Sequence, residues 1–487
     1  MNWVLAATCA VASVPAGLRW LRVAQREHYL PGEVTRFAVR WWRNGALNLA
    51  LDLLGLAGVL LTVFDLRWGF LVAVVQVGPI GLSIGGVSSP LAWTARLRRL
   101  AGVSGVILIT TFAAGAWFAL PLLVVLPLYL LYVVVDLALA ALVPLERRMG
   151  DQWVDKATAK LRAVGPRVVA ITGSYGKTTT KHYVAHLLSG SRRVVASPAS
   201  FNNRMGLARA INENLTPGTE IFVAEMGTYG RGEIAELCRW VKPEVAAMVA
   251  IGPVHLERFG SLDDIARAKS EILDGAEVGV ICVDDPHLAA IAAAYRGRMS
   301  ILEVSADAGI VIGGEHVIDV PEGVFGVNLA VALGICRALG IDVEDLLPRV
   351  AGLPTTEHRQ SVTTAAAGFT IVDDTFNSNP AGARSALSAL AEAGAGGTTA
   401  VITPGMVELG PVQDEENRSF AEEASARVDH LVIVGRTNRR SLREGSANGK
   451  ASVTVVDSRA DAVEWAREHL GPGDAVLYEN DLPDHYP

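Results

Sequence analysis

The residues best suited to chemistry form one run, Gly173-Ser174-Tyr175-Gly176-Lys177-Thr178-Thr179-Thr180. The apolar residues 168–171 before it read as a buried strand, and residues 182–188 after it carry apolar positions at helical spacing. Strand, glycine turn, helix is the context that makes a phosphate loop credible. Gly173 and Gly176 let backbone approach a polyphosphate closely. The N-terminus of the following helix offers free N–H groups and the positive end of its dipole. Lys177 can reach the outer phosphates and Thr178 can place its hydroxyl on Mg²⁺, with Ser174, Tyr175 and Thr179 completing the cofactor-binding turn. The spacing is shorter than the common Gly-x-x-x-x-Gly-Lys-Thr, because Ile171 stands where the first glycine would be.

Other polar groups follow later apolar runs. Glu225, with Gly227 and then Gly230-x-Gly232-Glu233, follows residues 221–224. His255-Leu256-Glu257-x-Phe259-Gly260-Ser261 follows residues 245–250, and Lys269 lies on the next helix. Ligands of open α/β sheets bind beyond the carboxyl ends of the strands, so Thr178, Glu225 and His255 can converge there. A hydroxyl, a carboxylate and an imidazole beside a triphosphate suit Mg²⁺. Singly each is a weak signal, since a lone histidine is more often a satisfied core residue and a lone lysine a solvated one.

The elements that must hold these groups alternate along the chain. Apolar runs at 194–196, 221–224, 245–250 and 278–283 are expected strands with helices between them, giving an open, mostly parallel sheet with helices on both faces. A second series has expected strands at 370–372, 399–402, 430–434, 452–456 and 475–478. The polar stretch 151–162 is expected to be a linker helix. The reading is an ATP-binding domain at 151–351 and a second, Rossmann-like α/β domain at 352–487.

The first 150 residues are a different object. They hold 12 arginines, no lysine and six acidic residues, net +6; the remainder is net −13, within a chain of net charge −7 and mean hydropathy +0.32. Stretches of about 18 apolar residues are membrane-span candidates. Residues 3–18, 45–64 and 69–87 supply three, and 103–143 is long enough to cross twice, with Pro121 at the turn. The expectation is an α-helical transmembrane domain of about five spans over 1–150. A cleaved signal peptide is the alternative for the first span, but the basic leader is missing. The arginines cluster in 19–44, in 89–102 and at Arg147-Arg148, so the positive-inside rule puts the N-terminus outside and the α/β domains in the cytoplasm, where ATP is. Trp20, Tyr29, Phe37, Trp41 and Trp42 interleave with the arginines, as in an interfacial segment on anionic headgroups or in an ordinary loop with an aromatic belt. Asp52 and Asp136, inside apolar spans, read as structural links between helices. The acidic remainder argues against nucleic acid as a partner. Cys9, Cys238, Cys282 and Cys336 lack metal-ligand spacing and read as reduced, buried thiols.

From about residue 165 to 480 the chain resembles the Mur ligases, ATP-dependent amide-forming ligases of peptidoglycan synthesis. The resemblance rests on Thr172-Gly-Ser-Tyr-Gly-Lys-Thr-Thr179, Phe201-Asn202-Asn203, Glu225-x-Gly227, Gly252-Pro253-Val254-His255-Leu256-Glu257, Ala268-Lys269-Ser270-Glu271, Asp373-Asp374-Thr375-Phe376-Asn377-Ser378-Asn379-Pro380 and Met406-Val407-Glu408-Leu409-Gly410. It implies that Lys177 holds ATP phosphates, that Thr178 and Glu225 bind one Mg²⁺, and that His255 helps bind a second. Lys269 matches a lysine that CO₂ converts to a carbamate, N6-carboxylysine, in this family. Asn328 matches an adenine-side asparagine, and Arg359 and Asp374 match residues of the second domain that close over ATP. Asn202, Asn203, Asn377 and Asn379 fall in substrate-side segments. Two departures stand out: apolar spans occupy the place of the family's UDP-sugar-binding domain, and Glu479-Asn480-Asp481 stands where a Lys-Gly-Ser run is usual.

These residues point to a membrane-embedded ligase that joins a carboxylate to an amine through an acyl phosphate, with ATP and two Mg²⁺ ions, on a cell-envelope precursor that is peptidoglycan-like or lipid-linked. An amide ligase for a soluble peptide, polymer or natural product is the alternative, with the spans as an anchor or as the contact for a partner membrane subunit. An ATP-driven transporter is a third reading, against which stand the ligase-like motifs reaching into the second domain.

Overall fold

The computed structural model describes all residues except 44, 86–89, 322, 355–360, 376, 377, 395, 483–485 and 487. Arg359 and Asn377 therefore lie outside the described residues. The chain divides into two compact units, Met1–Met149 with Leu482–Pro487, and Gly150–Asp481.

The first unit is helical: α1 (Asn2–Arg26), α2 (Glu33–Arg43), α3 (Ala46–Leu61), α4 (Trp68–Val75), α5 (Ala95–Trp117), α6 (Leu122–Tyr129) and α7 (Leu131–Val164), the last of which continues into the second unit. By length and composition α1 and α5 can each cross a membrane, and the count rises to four if the pairs α2–α3 and α6–α7 are each one bent span. Over the described residues 69–85 the continuous third span expected of 69–87 does not form. Only α4 is helical there; Pro79 and the left-handed glycines Gly78 and Gly81 break the remainder. The unwound stretch is held by side chains instead. Arg19 donates through Nη1 to the Val77 carbonyl (2.6 Å) and through Nε to that of Leu82 (2.9 Å). Arg22 donates to the Ser83 carbonyl (2.9 Å), and the Asn48 amide pairs with both the N–H and the C=O of Ile80. Carbonyls freed from a helix are thereby satisfied without water.

The aromatic residues among the arginines face inward. Trp20, Phe37, Trp41 and Trp42 are buried in the core of this unit, while Arg36, Arg40 and Arg43 stay exposed. An aromatic belt lying on headgroups is thus not what these four side chains form; packing among apolar helices claims them. Asp136 of α7 accepts from the N–H groups of Gly32 (2.9 Å) and Thr35 (2.7 Å), capping the start of α2, and Asp52 accepts from the Tyr129 hydroxyl (3.1 Å). Both acids link helices.

The second unit contains two sheets. The first is built from β1 (Arg167–Thr172), α8 (Lys177–Leu188), β2 (Val194–Ala196), α9 (Arg204–Asn214), β3 (Ile221–Glu225), α10 (Glu233–Val241), β4 (Val245–Met248), α11 (Leu256–Phe259), α12 (Leu262–Ser270), β5 (Val278–Cys282), α13 (Pro286–Tyr295), β6 (Ser300–Ser305), β7 (Ile310–Ile312), β8 (Glu315–Ile318) and α14 (Gly326–Ala338). Strand order is β2-β3-β1-β4-β5-β6-β7-β8, parallel up to β6 and antiparallel from there. β1 pairs with β3 and β4, so the turn after β1 lies between the ends of two neighbours. All three are buried almost throughout, as a sheet covered on both faces requires. The part of α7 in this unit contributes Val154, Ala157 and Leu161 to the same core, so the expected polar linker has one packed face.

The second sheet has β9 (Ser361–Thr364), β10 (Thr370–Asp374), α15 (Pro380–Ala393), β11 (Thr399–Thr403), α16 (Gln413–Arg427), β12 (His430–Val434), α17 (Arg439–Ser446), β13 (Ser452–Val456), α18 (Arg459–His469) and β14 (Ala475–Glu479). Its order is β13-β12-β11-β14-β10-β9, with β9 alone antiparallel. The chain leaves the β13 edge and returns as β14 between β10 and β11, which puts the carboxyl ends of β10, β11 and β14 side by side.

Candidate active site

Residues 173–176 turn the chain from β1 into α8. Gly176 adopts the left-handed conformation (φ 75°), and a Cβ there would lie 2.5 Å from the Asn328 amide nitrogen and 2.8 Å from Val249. Glycine is required on both counts. Ser174 ties the turn to the strand beside it, its N–H donating to the Ala250 carbonyl (2.7 Å) while its hydroxyl exchanges hydrogen bonds with the backbone of Gly252. Tyr175 packs where a Gly252 side chain would have to be, and burial pushes its phenol upward. Asn328, on α14, donates to the Gly176 carbonyl (2.8 Å) and to the Thr180 hydroxyl (2.9 Å). Its amide therefore braces the loop from behind. Thr179 is buried in the first turn of α8.

At the end of β3 the Glu225 carboxyl, almost wholly buried, faces that first turn. Its Oε2 accepts from the Thr178 hydroxyl (3.0 Å) and from Lys181 Nζ (3.1 Å), and its Oε1 from the Asn202 amide (3.1 Å). Burial alone would raise this acid, but the Lys181 and Lys177 ammonium groups and the hydrogen bonds from Asn202 and Lys181 outweigh it and hold the carboxyl below its ordinary range. Glu225 is thus an ionised carboxylate one hydrogen bond from the loop hydroxyl.

Two amines meet at the Gly173 carbonyl. Lys177 Nζ lies 2.7 Å from that oxygen and Lys269 Nζ 3.1 Å. Lys269 is buried, and burial first and Lys177 second hold its ammonium form well below the usual lysine range. His255 is paired with a different carboxylate. It has a left-handed backbone (φ 59°), and its Nδ1 is 2.5 Å from Oε2 of Glu408, on the segment after β11. The Tyr229 ring packs edge-on against it at 4.9 Å. Of the substrate-side asparagines, Asn202 reaches Glu225, whereas Asn203 caps α9 through Gly206 N–H (2.9 Å) and Asn379 caps α15 through Gly382 N–H (3.0 Å). Asp374 ends β10 and is buried.

Among the described residues no three His, Cys, Asp or Glu side chains gather as a metal cage. The oxygen pair of Thr178 and Glu225 still fits Mg²⁺, which takes one or two protein oxygens and completes its shell with phosphate and water.

The profile of the Mur ligase middle domain matches residues 171–323, and that of the Mur ligase glutamate ligase domain matches 358–478. The UDP-N-acetylmuramoyl-tripeptide–D-alanyl-D-alanine ligase of Mycobacterium leprae is 33% identical over 376 residues, spanning 66% of this chain and 72% of that protein. The chain belongs to the Mur ligase family. Its members are ATP-dependent ligases that form C–N bonds and use Mg²⁺. The crystal structure of the MurF ligase from Thermotoga maritima in complex with ADP superposes with a TM-score of 0.55 at 27% identity, over 68% of this chain and 80% of that one. MurF from Acinetobacter baumannii, 24% identical, shares the fold with a TM-score of 0.58 over 68% of this chain and 77% of that one.

Two parts of this Mur ligase site escaped the sequence reading. Lys181 is fully buried on Glu225; the signal was its spacing, three residues after Thr178 and hence on the same helix face. Ser197 accepts the Glu225 N–H through its hydroxyl (3.1 Å), which no pattern announces. Glu479, which the sequence already marked as a departure from the usual Lys-Gly-Ser run, is fully buried at the end of β14; hydroxyl groups of Ser378 and Thr403 donate to it, and burial favours its protonated form.

Proposed function

We propose that this Mur ligase is embedded in the plasma membrane and joins a carboxylate to an amine on a peptidoglycan-like precursor, nucleotide-linked or lipid-linked, using ATP. The observation that carries the reading is the buried Glu225 carboxyl at the end of β3, which accepts from Thr178 (3.0 Å), the residue after Lys177 in the phosphate loop, and from Lys181 and Asn202. Lys177 binds the ATP phosphates as a point charge and the N–H groups at the start of α8 add their dipole. Thr178 and Glu225 would hold Mg²⁺, which would neutralise charge spread over the transferring phosphoryl group. The substrate carboxylate attacks the γ-phosphorus, ADP leaves, and an acyl phosphate forms. The amine attacks the acyl carbon, the C–N bond forms, phosphate leaves and the amine loses a proton. Exclusion of water by the second sheet's domain protects the acyl phosphate. The precursor class rests on the UDP-N-acetylmuramoyl-tripeptide–D-alanyl-D-alanine ligase to which this chain is similar.

Lys269 works as a carbamate in this reading. A neutral amine is the form that attacks CO₂, and burial beside Lys177 favours it. The product is an anion beside the Lys177 ammonium. Glu408 at Nδ1 of His255 supports that ring's Nε2 as a ligand for a second ion, the arrangement in which a carboxylate orients a metal-binding histidine. An amide ligase for a soluble peptide or polymer is the second reading, and Glu479 in place of the family's lysine favours a different amine.

In this reading the membrane unit crosses five times, the third crossing broken. Gly69 abuts Leu5 near one end of α1, while Ser83 receives Arg22 near the other. Seventeen residues of helix are about 25 Å, close to the thickness of a hydrocarbon core. α4 and the unwound residues after it therefore travel the depth that α1 travels. Together with the arginine asymmetry, this supports a reading with the N-terminus outside and the ligase domains inside.

In the purified full-length protein, Lys177→Ala is expected to lower amine-dependent phosphate release about 100-fold or more while the protein remains folded in detergent. Release at the wild-type rate would remove the phosphate-loop assignment. Activity of the wild type should fall in degassed buffer and return with bicarbonate, and that of Lys269→Ala should be low in both and partly restored by short carboxylic acids; indifference to bicarbonate together with full activity of Lys269→Ala contradicts the carbamate. For topology, Phe64→Cys should react with an impermeant maleimide from outside the cell and Ala92→Cys only after the membrane is opened. Labelling of both from one side contradicts the broken crossing.

A further inference from the structure

Lys181 has no exposed surface and its partner Glu225 has almost none. Burying such a pair is a poor way to gain stability, because apolar residues of similar volume usually do as well. The position of the pair suggests another role. Thr178 and Lys181 lie on one face of α8 and both donate to the same oxygen, Oε2 of Glu225. A Thr178 hydroxyl that turns to a metal gives up its bond to that oxygen. Lys181 does not, and with Asn202 on Oε1 and Ser197 on the backbone N–H it fixes the carboxylate in place. Lys181 also donates to the Ala199 carbonyl (2.6 Å), where the backbone is left-handed (φ 43°). A non-glycine residue is held in that region only when its surroundings over-determine it. The lysine thus ties the phosphate-loop helix, the end of β3 and the 197–203 segment together at one atom.

We infer that Lys181 is a positioning residue that presets the Glu225 carboxylate for the Mg²⁺–nucleotide complex and locks the segment carrying Asn202 against it. The inference rests on Glu225 being a metal ligand, as proposed above. Outer partners that orient a metal ligand typically change metal affinity by about 10- to 100-fold when removed.

The test is calorimetric binding of a non-hydrolysable ATP analogue to the full-length protein over a range of Mg²⁺ concentrations. Lys181→Met is expected to raise the half-saturating Mg²⁺ concentration about tenfold or more, leaving binding of metal-free nucleotide within about threefold of wild type. Unchanged Mg²⁺ dependence in folded Lys181→Met overturns the inference. A second variant covers the case in which the unpaired Glu225 prevents folding: Lys181→Met/Glu225→Gln removes both charges. It should match Glu225→Gln alone in Mg²⁺ dependence, since Lys181 acts through the carboxylate, and a further tenfold loss in the double variant overturns the proposal. Should Glu225→Gln itself leave the Mg²⁺ dependence of the otherwise wild-type protein untouched, the metal-ligand reading of Glu225 fails instead.

Discussion

A carboxylate at the buried end of a central strand is costly unless cations and donors surround it. Glu225 meets that condition through Lys181, Thr178, Asn202 and the more distant Lys177, and the meeting constrains much of the second unit. β1 must lie beside β3 so that the loop after one reaches the acid after the other. α8 must start with a lysine and a threonine at the loop and place a second lysine one turn on. The 197–203 segment must bend back over the strand end to deliver Ser197 and Asn202. One charge, held ionised, thereby fixes the relation of a glycine loop, a helix and a connecting segment before any nucleotide is bound.

The second sheet shows a related device with the opposite sign. Glu479 ends a central strand with hydroxyl groups of Ser378 and Thr403 donating to it, and burial favours its protonated form. Neighbouring Asn417 and Asn438 hold the Met406 backbone from two sides, which leads the chain to Glu408 and so to His255 of the first domain. Polar side chains buried at strand ends set the path of the connection that bridges the two sheets.

Much of this was legible in the sequence, and the residues show why. β1, β3, β4 and β5 read as continuous apolar runs because both faces of a parallel sheet are covered. Gly-Lys-Thr after such a run marks the turn into α8, where the proposed phosphate loop lies. The hairpin of β7 and β8 and the edge strand β9 were not legible: β7 is an apolar run of only three residues, and the edge strands β8 and β9 are short and largely exposed. Lys181 was passed over because a lysine within a helix is usually solvated, and nothing short of the tertiary fold brings Glu225 to it. Residues 69–87 satisfied hydropathy as a span while their glycines and Pro79 forbade a helix; composition measures transfer to lipid, and backbone satisfaction by Arg19, Arg22 and Asn48 is a matter of three-dimensional placement.

The central claim is that the acid substrate's own oxygen attacks ATP at the site formed by Lys177, Thr178 and Glu225. It is tested most directly by supplying the full-length protein with ATP, Mg²⁺, an amine and a muropeptide whose reacting carboxylate is labelled with ¹⁸O, then weighing the released phosphate. The expected result is transfer of one labelled oxygen from the carboxylate to phosphate for each amide formed. Phosphate that carries oxygen only from ATP and water would contradict an acyl phosphate and with it the ligase reading.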